Sequence, residues 1–231
     1  MKKFLVKQRF IIVSVFLFVI IAFLLSGLIS IKTSKLNGIT IVIDAGHGGR
    51  DGGSVGKNGT IEKEINLEYA ISLRDKLASA GYKVVMTRNN DDGLYSEIAK
   101  NKKVSDMNAR MKIIKKANPS LVVSIHMNSF SDSSVRGANT YYKVDDAASK
   151  KCADLIQASL NEYCNAPNKL SKEGDYFMLN CSYYTSVLIE CGFLSNLEEE
   201  LILNTDSYKN KLTNAIYAGI LLYYGNNNLA V

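Results

Sequence analysis

The stretch IVIDAGHGGRDGG, residues 41–53, joins a short apolar run to a glycine-rich loop that carries a histidine. Ile39–Ile43 is apolar apart from Thr40, which predicts a buried strand, and the loop is expected to continue to about Thr60. The chain contains only two histidines, so one placed directly behind a strand requires an explanation. Glycines allow a backbone to approach a ligand closely, and a histidine among them suits a binding site.

Further along the chain, strands and helices are expected to alternate. The apolar runs predict strands over residues 82–87, 121–125, 138–142 and 187–191. The helical periodicity predicts helices over residues 64–80, 105–117 with Ser105 as N-cap, 147–163 and 208–224 with Gly225 as its stop. This order is typical of a single α/β domain with a mostly parallel, twisted sheet flanked by helices. Strands rich in Val, Ile and Leu agree, because a parallel sheet is covered on both faces.

The first 35 residues differ from the rest. Phe10–Ile31 is a run of 22 residues without a charge, preceded by four basic residues. A helix of that length spans a bilayer core, and the basic flank predicts that the remainder lies outside the cytoplasm. We therefore expect a membrane segment over residues 1–35 and a catalytic domain over 36–231, exported and either anchored or secreted. An uncleaved anchor is favoured because no A-x-A-like cleavage site follows the apolar run.

The net charge of +6 belongs to this N-terminal region rather than to the folded domain. Six of the 28 basic residues lie within residues 1–35, which contain no acidic residue, so 22 basic residues face 22 acidic residues in the remainder. A domain without net positive charge gives no reason to expect nucleic acid as a partner. The four cysteines are expected to be free thiols, because a domain of this size does not depend on disulfides.

Three chemically active side chains follow predicted strands. His47 lies four positions after the first strand, His126 directly follows residues 121–125, and Glu190 ends the apolar run that begins at Val187. The carboxyl ends of parallel strands share one edge of a sheet, where ligands bind. A carboxylate at the end of a buried strand needs a partner or a role, because leaving it unpaired is costly.

Two histidines suggest a zinc ion, whose catalytic sites usually have three protein ligands. The spacing leaves the third ligand open among Asp44, Asp51, Glu62 and Glu64, with Asp44 alternatively orienting the loop or an imidazole. Histidines bound only to backbone carbonyls are the competing interpretation. A glycine-rich phosphate loop is disfavoured, because position 51 of the required G-x-G-x-x-G pattern is Asp and no G-K-[ST] occurs.

Four ordered motifs resemble one family of hydrolases. They are IDAGHGGRDGG at residues 43–53, GTIEKEINL at 59–67, VVSIHMNSF at 122–130 and VLIECGFLSN at 187–196, supported by VMTR at 85–88 and NARMKIIKKAN at 108–118. Together they resemble the zinc-dependent N-acetylmuramoyl-L-alanine amidases of the Amidase_3 type over about residues 38–225. The family commonly has Pro where Gly52 stands, a Pro-containing lead-in at Thr185–Ser186, and frequently Arg where Asn180 stands.

The resemblance implies a ligand set and a reaction. His47, Glu62 and His126 match the family's zinc ligands, and Glu190 matches its catalytic glutamate. The implied reaction is hydrolysis of the amide between the lactyl group of N-acetylmuramic acid and L-alanine of the stem peptide. The implied partner is therefore the peptidoglycan glycan strand with its stem peptides. Arg88 and Arg136 are candidates to meet stem-peptide carboxylates, or else form ordinary ion pairs.

One catalytic domain with one membrane segment and no wall-binding repeat is similar to the CwlD-type spore-cortex amidases. That likeness implies a role in cortex maturation through muramic-δ-lactam, in the space between the forespore and mother-cell membranes, and an activator or regulator protein as a further partner. The alternatives are a vegetative cell-wall autolysin, which would be expected to carry targeting modules, a catalytically silent peptidoglycan-binding regulator, and another metallohydrolase of the same polymer.

Overall fold

The computed structural model describes residues 38–164, 168–180 and 183–227. Six strands form the centre of the domain: β1 Thr40–Ala45, β2 Lys83–Met86, β3 Leu121–Asn128, β4 Asn139–Tyr142, β5 Lys172–Glu173 and β6 Ser186–Phe193. Six helices surround them: α1 Glu62–Ser79, α2 Lys102–Ala117, α3 Ala147–Cys164, α4 Phe177–Asn180, α5 Leu197–Leu203 and α6 Asp206–Asn227. The alternation of strands and helices is the one that the apolar runs predict.

All six strands belong to one sheet, in the order β2-β1-β3-β6-β4-β5. The pairs β1–β2, β1–β3, β3–β6 and β4–β5 are parallel, and only β4–β6 is antiparallel. The predicted fold class, an α/β domain with a mostly parallel sheet flanked by helices, is confirmed. Parallel pairing places the carboxyl ends of β1, β3 and β6 at one edge of the sheet.

The two faces of the sheet are covered unequally. One face carries a large apolar core that includes Ile43 of β1, Val123 of β3 and Ile189 of β6, packed under α1, α3 and α6. The other face carries a small cluster: Val42, Met111, Ile114, Val122 and Met178. Because side chains alternate along a strand, Asp44, His126 and Glu190 point towards this second face, which α2 and α4 cover only in part.

Several predicted element ends are wrong. Helix α2 begins at Lys102 instead of residue 105, because the side chain of Asn101 caps it by accepting a hydrogen bond from the Val104 N–H. Helix α6 continues through Gly225, which stays helical. Strand β3 extends to Asn128, so His126 lies inside the strand rather than after it. The short elements β5, α4 and α5 are absent from the sequence-based assignment.

Within the described ranges, no helix is long and apolar enough to cross a membrane. The predicted membrane segment, Phe10–Ile31, lies outside those ranges. Cys152, Cys164 and Cys191 are free thiols, as expected, and the fourth cysteine, Cys181, is not among the described residues.

Candidate metal centre

Three side chains from three elements converge at the edge of the sheet. Glu62 Oε1 lies 3.1 Å from His47 Nε2 and 3.1 Å from His126 Nδ1. The two imidazole rings meet edge to face, with centroids 5.1 Å apart. One ligand atom from each residue lies within 4.8 Å of the other two, which makes these three the group of His, Cys, Asp and Glu side chains suited to one metal ion among the described residues.

Each of the three side chains is held by a different local structure. His126 is an inward-facing residue of β3, and His47 sits in the loop after β1 with a positive φ of 61°. Glu62 is the first residue of α1, and its backbone N–H donates to the Ser54 carbonyl. The loop before it is fastened by buried Glu200, whose carboxylate accepts from the N–H groups of Asn58 and Thr60 at 2.8 and 3.1 Å. The loop held in this way brings His47 and Glu62, which are distant in sequence, into contact.

The other acidic candidates for the third ligand take other places. Asp51 Oδ1 lies 2.9 Å from His47 Nδ1, on the side of the ring away from Glu62, where a carboxylate orients an imidazole. Asp44 is buried beneath the loop and contacts Thr87, Ser124 and Arg110 rather than an imidazole. Glu64 is exposed on α1. The structure therefore brings Glu62, and none of these three, between the histidines.

The buried carboxylate between two imidazoles controls the charge of the centre. Burial alone would raise the pKa of Glu62, but the hydrogen bonds and charges of His126 and His47 lower it well below its ordinary range. Burial alone would lower the pKa of His47, and Glu62 with Asp51 reverses this and raises it. An ionised Glu62 is thus available to a cation at neutral pH.

Glu190 stands beside this group without taking part in it. In the parallel β3–β6 ladder it is paired with His126, so both side chains leave the same face at the same level. Its Oε2 is buried and has no hydrogen-bond partner among the described residues. Burial raises the pKa of Glu190 to about 7, with the Glu62 charge adding to the increase and His126 opposing it. A carboxyl group of this kind exchanges a proton near neutral pH.

The four side chains open into one cleft of about 780 Å³. The start of α2 supplies one wall, with Lys102, Lys103 and Met107, and Tyr176–Met178 supply the opposite wall. Glu190, Glu62 and both histidines lie between these walls. A cleft of this size accommodates a small-molecule ligand, and it places the Glu190 carboxyl next to the three side chains that could hold a metal ion.

Two buried arginines are part of the centre in a way that the sequence did not indicate. Arg88, a candidate to meet substrate carboxylates, is only 2% exposed and donates to the carbonyls of Ala45 and Gly46. Arg110 donates to the carbonyls of Ala45 and His47 and to the Asp44 carboxylate. The substrate-contact interpretation of Arg88 is therefore wrong. The signal that could have found its role is the arginine in VMTR directly after a strand, next to the β1 loop.

Arg136, the other arginine considered for substrate contact, has a simpler environment. Its Nη1 lies 3.7 Å from Glu198 Oε2, and both side chains are largely exposed. The ordinary ion pair is the interpretation that the structure supports.

Comparison with known proteins relates this geometry to characterised relatives. A family described as N-acetylmuramoyl-L-alanine amidase, Amidase_3, matches residues 41–221. The germination-specific N-acetylmuramoyl-L-alanine amidase of Bacillus subtilis is 37% identical over 194 residues, which cover 82% of this chain and 81% of the relative. The N-acetylmuramoyl-L-alanine amidase LytC of the same organism is 34% identical, and the match covers 81% of this chain but 36% of LytC.

A solved structure gives the same result. The CwlD amidase from Clostridioides difficile, determined in complex with the GerS lipoprotein, superimposes with a TM-score of 0.79 at 38% identity. The match covers 81% of this chain and 99% of that one.

Proposed function

The chain belongs to the Amidase_3 family of N-acetylmuramoyl-L-alanine amidases, and we propose that it works as a zinc enzyme whose ligands are His47, Glu62 and His126. The protein is an N-acetylmuramoyl-L-alanine amidase that acts on peptidoglycan. The bond that such an amidase hydrolyses is the amide between the lactyl group of N-acetylmuramic acid and L-alanine. The zinc ion, the role of each residue and the biological setting are the parts that we propose.

The donor set and its spacing fit zinc. Two imidazoles and one carboxylate are common ligands of catalytic zinc, which leaves a position open for a further ligand. Donors that each lie about 2.0–2.2 Å from one tetrahedral ion are roughly 3.3–3.5 Å apart. The observed separations of 3.1 Å between Glu62 Oε1 and each imidazole nitrogen are close to this value. Asp51 at the far nitrogen of His47 supplies the supporting carboxylate that metal-bound histidines usually have.

Glu190 is the proposed proton carrier, and its unpartnered carboxyl in the shared cleft is the observation that carries the mechanism. When bound, zinc supplies Lewis acidity, which polarises a carbonyl and promotes deprotonation of water near neutral pH. Glu190 accepts the proton of the attacking water and later delivers it to the leaving amine of alanine. Tyr176 and Met178 confine the substrate opposite α2. Before the ion binds, Glu62 keeps both imidazoles close together through its contacts of 3.1 Å with each of them.

We place this activity in spore-cortex maturation, in the reaction that yields muramic-δ-lactam. The germination-specific name of the Bacillus relative and the likeness to the CwlD structure support this role. The apolar segment Phe10–Ile31 supports export and attachment to a membrane facing the cortex. The complex of the CwlD relative with a lipoprotein supports a regulator of similar type for this chain.

The test combines metal analysis with product analysis of the purified full chain. We expect one zinc ion per chain and, on denuded cortex glycan, free lactyl-muramic ends with release of intact stem peptides. The Glu62→Gln variant should lose both zinc and activity, whereas Glu68→Gln, an exposed change on the same helix, should retain both. Full activity of a zinc-free chain would overturn the metal assignment, and cleavage within the stem peptide would overturn the amide specificity. Spores without the protein should lack muramic-δ-lactam, and their having it would refute the cortex role.

A further inference from the structure

The backbone of Gly46 contacts groups that lie next to each of the three proposed metal ligands. It precedes His47 in sequence, and its N–H donates to the Ile125 carbonyl at 3.0 Å, directly before His126. A Cβ atom at position 46 would lie 2.2–2.6 Å from three atoms of the His126 ring, so a side chain there is excluded and the backbone packs on the imidazole. This one residue thereby fixes where His47 and His126 lie relative to each other.

The carbonyl oxygen of Gly46 extends this arrangement to the third ligand. Arg88 Nη2 donates to Gly46 O at 2.9 Å and to Lys63 O at 2.7 Å, directly after Glu62. Asn66 Nδ2 donates to Gly46 O at 3.2 Å and to Glu62 Oε1 at 3.2 Å. Two side chains therefore connect the Gly46 carbonyl with the first turn of α1.

We propose that Arg88 and Asn66 are positioning residues that set the spacing of the metal ligands through the Gly46 carbonyl. This inference rests on the proposed metal site. Neither residue is needed to hold the ion itself. Their effect is to keep the His47 loop and the Glu62 turn at a fixed separation before the ion binds.

The environment of the buried Arg88 side chain is unusual, which favours a specific role over general stabilisation of the interior. It is 2% exposed, and among the described residues its guanidinium forms no salt bridge to a carboxylate. Its contacts with Ala45, Gly46, Lys63 and Asn90 are all to backbone carbonyls. Burying a charge against carbonyls alone is costly, whereas the planar fork of five N–H donors reaches several carbonyls at fixed angles. A lysine ammonium lacks this fork and cannot bind the Gly46 and Lys63 carbonyls with the same geometry.

The test measures zinc affinity and folding separately in the full chain. Arg88→Lys keeps the charge but loses the fork, and Asn66→Leu keeps the approximate shape but loses both donors. We expect each variant to bind zinc 10–100-fold more weakly in competition with a chromophoric chelator, the usual effect of removing a group that supports metal ligands. The double variant should lose less than the product of the two single effects, because both act on one carbonyl.

Two control variants separate positioning from a general loss of stability. Arg74→Lys, a change at a partly exposed position of α1 whose partner is the neighbouring Asp75, should alter nothing. Tyr69→Phe removes a buried hydrogen bond to the Leu203 carbonyl and should lower the melting temperature of the metal-free chain without changing zinc affinity. If Arg88→Lys fails to fold, Asn66→Leu still decides the question.

Wild-type zinc affinity in either positioning variant would overturn the inference. So would an affinity loss that Tyr69→Phe reproduces at equal loss of stability. A wild-type chain that binds no zinc would overturn the metal site and, with it, this inference. That result is distinguishable, because it appears before any substitution is made.

Discussion

Asp44 and Glu190 are two buried carboxylates on the same face of the sheet, and they behave in opposite ways. Asp44 in β1 is 1% exposed and Glu190 in β6 is 8% exposed. Burial alone would raise the pKa of Asp44, but Arg110 and Ser124 lower it to about 2. Within residues 38–164, 168–180 and 183–227, no side chain donates to Glu190 Oε2 in this way, and burial raises the pKa of Glu190 to about 7. Burial is common to both, so the supply of donors decides which carboxylate is inert and which can exchange a proton.

The two carboxylates have different tasks at this edge of the sheet, because Asp44 supports a loop and Glu190 lines the cleft. Among the donors to Asp44, Arg110 also fastens the loop that carries His47, because it contacts both that carboxylate and the His47 carbonyl. Glu190 lines the cleft, and its buried Oε2 has no hydrogen-bond partner among the described residues. A protein that satisfied Glu190 as fully as Asp44 would gain stability and lose the proposed proton carrier.

The largest expected effect removes the reactive member of the pair. Glu190→Gln should lower turnover on muropeptides by about 10²–10⁴-fold, the range for loss of a general acid–base group, while zinc content stays at the wild-type value. Muropeptide chromatography and metal analysis measure the two quantities. Glu64→Gln, an exposed change near the centre, is the matched control. Near-full turnover in Glu190→Gln would show that this carboxyl does not carry the proton.

The second prediction concerns Asp44, the inert carboxylate of the pair. Asp44→Asn removes the fully buried partner of Arg110, which keeps only its second carboxylate contact with Asp106. This change should lower the free energy of unfolding at pH 7 by about 3 kcal/mol, measured by urea denaturation. The pKa of Asp44 is lower in the folded chain than in the unfolded chain, so its contribution is complete above about pH 4 and disappears as the pH falls through about 2.

The stability difference between wild type and Asp44→Asn should therefore shrink below pH 4. Glu162→Gln, at an exposed position on α3 that forms no ion pair among the described residues, provides a control that should match the wild type at every pH. A difference that stayed constant down to pH 2 would mean that the Asp44 charge is not what stabilises the loop.

The third prediction is an increase in the free energy of unfolding rather than a decrease. The pKa of Glu190 is raised on folding, so its ionisation opposes folding above about pH 4.5, and this cost is complete above about pH 7. Glu190→Gln should raise the free energy of unfolding of the metal-free chain at pH 8 by up to about 3 kcal/mol and leave it unchanged at pH 4. Urea denaturation in the presence of a chelator measures both values. Equal stabilisation at both pH values would assign the gain to packing rather than to charge.

The smallest effect concerns a third carboxylate that is fully satisfied by backbone groups. Glu200→Gln keeps the shape and one acceptor oxygen but loses the charge that binds the Asn58 and Thr60 N–H groups. We expect a loss of about 1–2 kcal/mol in the free energy of unfolding and faster hydrogen exchange at these two amides. Unchanged exchange there would show that Glu200 does not fasten the loop before Glu62.

The sequence predicts the strands and the convergence at their ends because both depend on local patterns. The apolar runs at Ile41 and Val122 identify strands, and parallel strands bring His47 and His126 to one edge whatever the details. The cap of α5 also had a sequence signal, since Asn196 stands three positions before Glu199 and accepts from its N–H. That helix was missed because it is only seven residues long.

The remaining features depend on pairing that no local pattern reveals. The register that sets Glu190 beside His126 is fixed by the whole β3–β6 ladder. The choice of Glu62 over Asp51 depends on Glu200, which lies about 140 residues away in sequence and holds the intervening loop. Arg88 resembles a surface arginine until the carbonyls of the neighbouring loop are in place around it.

The unequal covering of the sheet has a consequence for the substrate. Helix α2 is joined to β1 through the buried Arg110–Asp44 contact, whose directional bonds permit a single docked orientation. The opposite wall of the cleft, Tyr176–Met178, depends on a helix of only four residues. We expect stem peptides that differ in length or cross-linking to be accommodated mainly at this second wall, because a helix of four residues has few backbone hydrogen bonds of its own.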